Sequence, residues 1–152
     1  SRGQHNVLAL MFDMNTLWEK YIAMQMRREL SNKYEIHLQN RKVFWKSSNG
    51  GVKRLKPDII FRDKETSDVS MIIDTKWKLP DDMYPSDEDL RQMFAYNRLF
   101  DSKKSMLLYP GVNDSSIGEY QTENGGTCQV QTLQILNKKG QLLKSDDLFQ
   151  SF

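Results

Sequence analysis

The sequence is poor in the residues that zinc sites and disulfide frameworks need. Its 152 residues include one cysteine, Cys128, and two histidines, His5 and His37. A single cysteine cannot form an internal disulfide, and so few cysteines and histidines cannot build a clustered zinc site. We therefore expect no zinc chemistry, a structural role for His37, and an ordinary strand position without redox purpose for Cys128.

Long hydrophobic runs are also missing. No stretch approaches the roughly 20 apolar residues that span a bilayer, and the first residues, SRGQHNVLALMF, lack the layout of a signal peptide. Hydrophobic residues make up 38% and charged residues 28% of the chain, as in ordinary soluble proteins. We expect a soluble intracellular protein without membrane contact, folded as one domain over residues 1–152.

The charge is unevenly distributed, although its net value is only +2. Residues 1–60 hold 11 Lys/Arg against 5 Asp/Glu, whereas residues 61–152 hold 11 against 15. This asymmetry indicates a basic face for an anionic partner, and ordinary solvated charge explains it about equally well.

Two helices are predicted from the apolar spacing. The first covers residues 16–31, with Leu17, Tyr21 and Met24 on one line and Trp18 and Ile22 beside it. The second covers residues 87–100, because Ser86 stands in a capping position and acidic residues fill the first turn.

Short segments rich in β-forming residues predict the strands. They lie at 34–40, 42–45, 56–61, 69–77, 104–110 and 128–136, and the first two are read as short strands or a hairpin. Loops are predicted at 62–68, 79–89 and 111–127, and a glycine turn at 47–51. The order α-β-β-β-α-β, with a final strand, predicts an α/β fold whose central mixed sheet is flanked by helices.

Two charged residues share one face of the strand at 69–77. Side chains alternate along a strand, so Asp74 and Lys76 point one way while Thr75 and Trp77 point the other. Apolar residues cover both faces, and we therefore expect Asp74 and Lys76 to be partly buried. Taken alone, the two residues are better explained as a simple ion pair than as a catalytic site.

Asp58 adds a second carboxylate, because it follows Pro57 at the start of the preceding predicted strand. If the two strands pair as a hairpin, Asp58 and Asp74 converge and can hold Mg²⁺, which prefers oxygen ligands. Pro and Asp are both turn residues, so Pro57–Asp58 alone would be read as a turn.

The combination of PD at 57–58 and DTK at 74–76 resembles the PD-(D/E)xK nuclease superfamily. The order of the helices and strands fits that superfamily, and Gln92 with Tyr96 resembles the QxxxY spacing of its RecB-like members. A closer resemblance is carried by FDMNTLWEKYI, LKPDIIF, IIDTKWK, DLRQMFAYNRLF and LLYP. Together they resemble the C-terminal nuclease part of McrC-type subunits in McrBC-like modification-dependent restriction systems. Thr75 and Trp77 stand where those subunits often have alanine and tyrosine.

The resemblance implies a PD-(D/E)xK restriction-endonuclease-like core and a Mg²⁺-dependent DNA endonuclease, with Mn²⁺ able to substitute. Asp58, Asp74 and the backbone carbonyl of Thr75 would bind the metal. Lys76 would position or activate the attacking water and offset charge on the phosphate.

Glu19 and Gln92 are further candidates. Thr16 and Glu19 have capping-box spacing, which gives the glutamate a structural explanation. Glu19 also aligns with the apolar line Ala23, Met26 and Leu30, which should face the sheet, and the resemblance favours a catalytic or metal-binding role. Gln92, with Tyr96 one turn later, is either a solvated helix residue or a hydrogen-bond partner of the lysine or a phosphate. Tyr96 also fits a core position.

The resemblance implies partners as well. It predicts modified double-stranded DNA, an McrB-like AAA+ GTPase that alone uses GTP, and a cytoplasmic location in a prokaryote. Dimerisation would allow cleavage of both strands, and the chain is expected to be the C-terminal part of a longer McrC-like subunit. The DNA-contact candidates are basic residues around Trp45: Arg41, Lys42, Lys46, Lys53, Arg54 and Lys56. Solvated strand edges explain those charges about as well.

Three alternatives stay open: a RecB-like exonuclease, another repair or transposition nuclease of the same fold, and a nucleic-acid-binding module without turnover. The exonuclease differs from the endonuclease in leaving closed circular DNA uncut. The intact set Asp58, Asp74 and Lys76 argues against the binding module.

Overall fold

The computed structural model describes residues 1–80 and 82–152, without the side chains of residues 11 and 12. Its helices are α1 (Arg2–Leu30), α2 (Asp87–Leu99) and α3 (Ser145–Leu148). Its strands are β1 (Glu35–Leu38), β2 (Lys42–Lys46), β3 (Val52–Leu55), β4 (Ile59–Arg62), β5 (Val69–Thr75), β6 (Lys104–Pro110), β7 (Asp114–Glu119) and β8 (Thr127–Leu133). The described part of the chain contains no helix long and apolar enough to cross a membrane.

A mixed six-stranded sheet forms the centre, in the order β1-β4-β5-β6-β8-β7, and β2 with β3 forms a separate two-stranded sheet. Strands β5, β6 and β8 run parallel, while β1, β4 and β7 are antiparallel to their neighbours. The expected α/β fold, with a mixed central sheet flanked by helices, is confirmed.

Apolar side chains cover both faces of this sheet. One cluster joins Ile59 and Ile73 to α1, and the other joins Ile60 and Ile72 to α2. Adjacent strand residues thus belong to opposite clusters, as strand alternation requires. The carboxyl end of β5, where Asp74 lies, is therefore enclosed between the two helical layers.

Helix α1 begins much earlier than predicted. Ser1 caps it and forms a capping box with Gln4, so Thr16 and Glu19 lie in the helix interior and cannot cap its start. The predicted line of Leu17, Tyr21 and Met24 was misplaced, because Leu17 and Met24 are exposed, whereas the predicted line of Ala23, Met26 and Leu30 is buried. The buried line is Trp18, Ile22, Met26 and Leu30. The predicted end of the helix agrees with the observed end at Leu30 to within one residue.

The hairpin between β4 and β5 is the predicted one, and its loop is closed by Asp63. The Asp63 backbone N–H donates to the carbonyl of Asp68 (2.9 Å), and its carboxylate accepts from the backbone N–H groups of Glu65 and Thr66. Helix α2 begins at Asp87 with Ser86 as its cap, as predicted. The described part of the predicted loop at 79–89 is non-helical up to Ser86. Asp81 lies outside the described residues.

Strands β3 and β7 were not predicted. β2 pairs with β3 rather than with β1, and β1 pairs with β4 instead. The segment predicted as a loop at 111–127 contains β7, which is exposed along its whole length at the edge of the sheet. An exposed polar strand has no alternation of buried residues, and this alternation is the pattern from which strands are read.

Candidate active site

The antiparallel pairing of β4 and β5 brings Asp58 to the end of β5. Asp58 directly precedes β4, and the register places Ile59 opposite Ile73. Its Oδ2 accepts two hydrogen bonds from Thr75, from the backbone N–H at 2.8 Å and from the hydroxyl at 3.0 Å. Asp58 is thus fixed beside Asp74 by the residue between Asp74 and Lys76.

Asp74 lies in this corner with 5% of its surface exposed. Burial first, and then the charge of Asp58, raise the pKa of Asp74 to about 7. Burial also raises the pKa of Asp58, and the charge of Glu19 adds to that effect against the Thr75 hydrogen bonds. The Asp58 and Asp74 carboxyl groups lie within hydrogen-bonding reach of each other. Two buried carboxylates so close together repel each other when both are ionised.

Glu19 of α1 is the third carboxylate of the group. It is half-buried, and burial followed by the charge of Asp74 raises its pKa, while Lys56 and a hydrogen bond to Asp58 oppose the shift. The Glu19 carboxylate also accepts a hydrogen bond from the side chain of Gln39. The structure thus removes the capping explanation for Glu19 and places the residue beside the aspartates.

Lys76 reaches the same corner. Its Nζ lies 2.8 Å from Oδ2 of Asp74 and 3.0 Å from Oε1 of Gln92, which accepts a hydrogen bond, and 3.5 Å from Oδ1 of Asp89. Burial alone would lower the pKa of Lys76, but Asp74, Asp89 and Asp58 outweigh burial and raise it. Lys76 is therefore held in its charged form by hydrogen bonds to Asp74 and Gln92 and by an ion pair with Asp89.

Helix α2 connects the lysine to the segment before Asp58. Nε2 of Gln92 donates to the hydroxyl of Tyr96 at 3.0 Å, and that hydroxyl donates to the carbonyl of Lys56 at 3.4 Å. The predicted hydrogen bond between Gln92 and the lysine is present. Tyr96 is also a core residue, as the alternative interpretation held, because it packs with Ile60 and Ile72.

The sequence pattern did not identify two participants. One is the hydroxyl of Thr75. Strand alternation assigned that side chain to the face opposite Asp74 and Lys76, but Asp58 lies at the strand end, where side chains from both faces can reach it. The other is Asp89, which lies in the first turn of α2, where an acidic residue is usually explained by the helix dipole. Its side chain is buried and also lies 2.7 Å from Nζ of Lys78. Burial alone would raise the pKa of Asp89, but Lys78 and Lys76 outweigh it and lower that pKa.

The donor set suits a Mg²⁺ ion held by few protein ligands. In the part of the chain that is described, no three His, Cys, Asp or Glu side chains are arranged to hold a metal ion by themselves. Mg²⁺ commonly takes one or two carboxylates, with water and substrate phosphate completing its shell. Thr75 and Lys76 engage only Oδ2 of Asp58 and of Asp74. The mutual repulsion of these carboxylates is what a bound cation relieves, so the residues fit the ion.

The basic residues predicted to contact DNA lie on or beside the β2–β3 hairpin, outside the carboxylate group. They are Arg41, Lys42, Lys46, Lys53, Arg54 and Lys56, and all six are exposed. Lys42 has a structural task, since its Nζ donates to the carbonyl of Leu99 at 2.9 Å and lies over the ring of Phe100. Lys56 is the one nearest the carboxylates, because its charge lowers the pKa of Glu19.

The chain resembles known proteins of one family in sequence and in fold. The family model "McrBC 5-methylcytosine restriction system component" matches residues 1–110. No curated protein matches the sequence significantly. Among solved structures, the chain resembles one from the refined half-complex of the tetradecameric assembly of Thermococcus gammatolerans McrB AAA+ hexamers with bound McrC. The TM-score is 0.58 at 21% identity, covering 88% of this chain and 31% of that chain.

The solved relative is thus much longer, and this chain spans about a third of its length. At that identity the likeness concerns the fold. The family match covers every residue of the carboxylate group together with Lys76, Asp89 and Gln92. The resemblance to McrC-type subunits that the sequence motifs carried is confirmed, and the chain belongs to the McrBC 5-methylcytosine restriction system component family.

Proposed function

We propose that this chain is the DNA-cleaving part of a McrC-type subunit, a Mg²⁺-dependent endonuclease of the PD-(D/E)xK class. The observation that carries the proposal is the close approach of the carboxyls of the half-buried Asp58 and the buried Asp74 beside the charged Lys76. Two adjacent carboxylates do not stabilise a core, since burial raises the pKa of both and the charge of Asp58 raises that of Asp74 further. A cation site explains them.

In this proposal Asp58 and Asp74 hold the ion, and the Thr75 carbonyl and Glu19 are further ligand candidates. When bound, Mg²⁺ supplies polarisation of a phosphate oxygen and lowers the pKa of water. Thr75 keeps Asp58 oriented through its two hydrogen bonds, so the carboxylate needs no rearrangement to bind. Glu19, with its raised pKa, is placed to accept a proton from the attacking water.

Lys76 acts as a fixed positive charge. Its raised pKa disfavours a general-base role, because the amine would have to lose its proton at neutral pH. A compact ammonium held by three acceptors can instead offset the charge that develops on the phosphate, without reorganising during the reaction. Gln92 and Asp89 orient it.

Partners follow from the family and from the solved relative, which was seen with McrB AAA+ hexamers. We propose an AAA+ GTPase of that kind as the partner and DNA carrying 5-methylcytosine as the substrate. The binding and hydrolysis of GTP belong to the partner, since this chain carries no P-loop sequence.

Cleavage of closed circular plasmid tests the proposal. Methylated and unmethylated plasmids are incubated with Mg²⁺, with and without an McrB-type AAA+ protein and GTP. The parent is expected to cut methylated circles in the complete mixture, whereas Asp74→Ala and Lys76→Ala are expected to be inactive. Cutting of linear DNA alone would favour the exonuclease alternative.

A matched control is Asp63→Ala, which removes an exposed aspartate from the loop at the far end of the β4–β5 hairpin. This variant should cut like the parent. Calorimetric titration with Mn²⁺ provides a readout besides cleavage. Asp74→Ala should lose the heat of Mn²⁺ binding. Equal cleavage by the parent, Asp74→Ala and Lys76→Ala would overturn the assignment of the site.

A further inference from the structure

The β2–β3 hairpin stands apart from the central sheet. Its two strands pair only with each other, and every residue of β2 is exposed. The turn is closed by hydrogen bonds between Ser47 and Gly51 and between Gly50 and Ser47, with Gly50 in the left-handed region at φ +96°. An isolated two-stranded hairpin is only marginally stable in water, so it needs an anchor.

That anchor is at the base of the hairpin. Lys42 donates to the carbonyl of Leu99 at the end of α2, and Leu55, directly opposite Lys42, packs against the cluster under α2. A cation is also favourable at the C-terminal end of a helix. The hairpin therefore has a fixed base and a projecting end.

Two large aromatic side chains lie on the projecting part. Phe44 is 51% exposed and Trp45 is 53% exposed. The register shifts between Val43 and Trp45, and the shift sets Trp45 opposite Lys53. Adjacent exposed aromatic residues on a hairpin without a covering element mark a contact surface.

The charge of the hairpin selects the kind of partner. Residues 41–56 contain six Lys or Arg and no Asp or Glu. With Lys42 engaged at the base, five cations remain on the segment that carries the two aromatic rings. Duplex DNA satisfies both features, because phosphates pair with the cations and base edges in a groove, such as the thymine methyl, contact the rings. An apolar protein surface would leave the cations unpaired.

The hairpin also leads directly into the carboxylate group. After β3 the chain runs through Lys56 and Pro57 to Asp58. Asp58 lies five positions after Lys53, which corresponds to at most about 17 Å of extended chain. At roughly 3.4 Å per base pair, the pair Trp45–Lys53 lies within about five base pairs of a phosphate held at Asp58.

We propose that the β2–β3 hairpin is a DNA-binding arm, which holds the duplex beside the cleaved bond through Lys46, Lys53 and Arg54 and contacts bases with Phe44 and Trp45. A two-stranded ribbon fits the major groove of duplex DNA. The inference rests on the proposed function, since it assigns the means by which the same DNA is held.

Equilibrium binding tests it without any cleavage. A fluorescent 30-base-pair duplex is titrated in Ca²⁺ at several salt concentrations with the parent, with Lys46→Gln/Lys53→Gln, and with Lys103→Gln/Lys104→Gln as a matched control. The control pair is exposed and lies where β6 begins, at the opposite end of the strand from the carboxylate group. Loss of two phosphate contacts should reduce the slope of log K against log salt by about 1.8. The control pair should leave the slope unchanged.

The aromatic contribution is tested on the same duplex. Trp45→Ala is expected to weaken binding by about tenfold, and Trp45→Phe should restore most of the loss, because it keeps an aromatic ring for contact with base edges in the groove. An unchanged circular dichroism melting curve shows that each variant folds. Binding by Trp45→Ala and by the lysine pair equal to that of the parent would overturn the proposal.

The result separates this inference from the proposed function. If the hairpin variants bind like the parent while Asp74→Ala abolishes cleavage, the arm is wrong and the nuclease assignment stands. If the hairpin variants lose binding while no protein cuts DNA with its partner, the arm stands and the nuclease assignment fails. Equal losses in the hairpin pair and the Lys103/Lys104 pair would indicate non-specific attraction and would overturn the arm.

Discussion

Oδ1 of Asp89, in the first turn of α2, lies 3.5 Å from Nζ of Lys76 beyond the end of β5. The other oxygen of the same carboxylate lies 2.7 Å from Nζ of Lys78. Asp89 thus bridges two lysines that follow β5. Lys76 is directed at the aspartate pair, and Lys78 is half-exposed. Asp74 and Gln92 accept hydrogen bonds from Lys76, and Asp89 adds an ion pair on its third side. Its location fixes Lys76 relative to the carboxylates.

Asp89→Asn is therefore expected to lower kcat for DNA cleavage by about 10- to 100-fold, because a small displacement of Lys76 weakens charge stabilisation in the transition state. KM for DNA and the affinity for Mn²⁺ should change little, since Asp89 is not among the proposed metal ligands. Steady-state cleavage with the AAA+ partner measures both constants. Lys78→Gln is the matched control and should retain activity, because it leaves the Asp89–Lys76 contact in place. Equal losses in the two variants would contradict this role.

The pH dependence of folding gives an independent measure of the same carboxylate. Because Lys78 and Lys76 outweigh burial, the pKa of Asp89 is lowered in the folded protein. Its contribution to stability is present above the unfolded pKa, about 3.9, and is lost as the pH falls through the folded value. Urea unfolding from pH 6 to pH 2.5 should show the parent more stable than Asp89→Asn near pH 6, with the difference shrinking below about pH 4. If the difference in stability between the parent and Asp89→Asn stays constant over this range, Asp89 is not ionised in the folded protein.

The hydroxyl of Thr75 gives a prediction that separates shape from hydrogen bonding. Thr75→Val keeps the volume of the side chain and removes the donor to Asp58, whereas Thr75→Ser keeps the donor. We expect Thr75→Val to weaken Mn²⁺ binding by about 10- to 100-fold, as the loss of a group that orients a metal ligand commonly does. Thr75→Ser should bind within a few-fold of the parent. Calorimetric titration decides, and equal affinity of the two variants would exclude a role for the hydroxyl.

The sequence predicted the parts of the fold that bury an apolar pattern. Helix α2 and strands β5 and β6 were predicted because their apolar spacing is strong and their ends carry Ser86 and Pro110. The start of α1 was missed, because its first half exposes Val7, Leu8 and Leu10, so no one-sided pattern marked it. β7 was missed for the same reason. An exposed strand such as β7 is specified by its pairing with a neighbouring strand, and local residue spacing does not reveal that pairing.

The residues of the site also differ in whether the sequence predicts them. Asp58, Asp74 and Lys76 were identified because strand pairing and alternation fix where they meet. Asp89 depends on where α2 crosses the sheet, and the angle of that crossing is set by packing in three dimensions. A helix cap pattern can place an acidic residue in the first turn. It cannot tell that the carboxylate turns inward between two lysines.

Cys128 provides a check on the packing between the sheet and α2. The thiol lies in β8 with 4% of its surface exposed, and burial raises its pKa. A raised pKa reduces the reactive thiolate fraction at a given pH. Alkylation by iodoacetamide at pH 8 should therefore be much slower for the native protein than in 8 M urea. Because the chain has one cysteine, mass spectrometry measures this site alone. Equal rates in the two conditions would show that β8 is accessible.

Asp58→Asn tests whether the carboxylate pair is maintained for function at the expense of stability. Burial, followed by the charge of Glu19, raises the pKa of Asp58, so its ionised form destabilises the folded protein at neutral pH. An asparagine oxygen can still accept from Thr75 while removing one charge. We expect the metal-free melting temperature to rise by about 2–4 °C, corresponding to about 1 kcal/mol, with cleavage lost.

The matched control for Asp58→Asn is Asp63→Asn, at the far end of the same hairpin. Asp63 is exposed, and backbone N–H groups of Thr66 and Glu65 lower its pKa, so neutralising it should remove a favourable charge and give no increase in melting temperature. Mn²⁺ should raise the melting temperature of the parent and of Asp63→Asn but not that of Asp58→Asn, because only the last lacks a ligand. Should Mn²⁺ stabilise all three proteins equally, the ion binds elsewhere. The aspartate pair would then be a buried ion-pair network with Lys76, and Asp58→Asn would lower stability as the loss of any buried partner does.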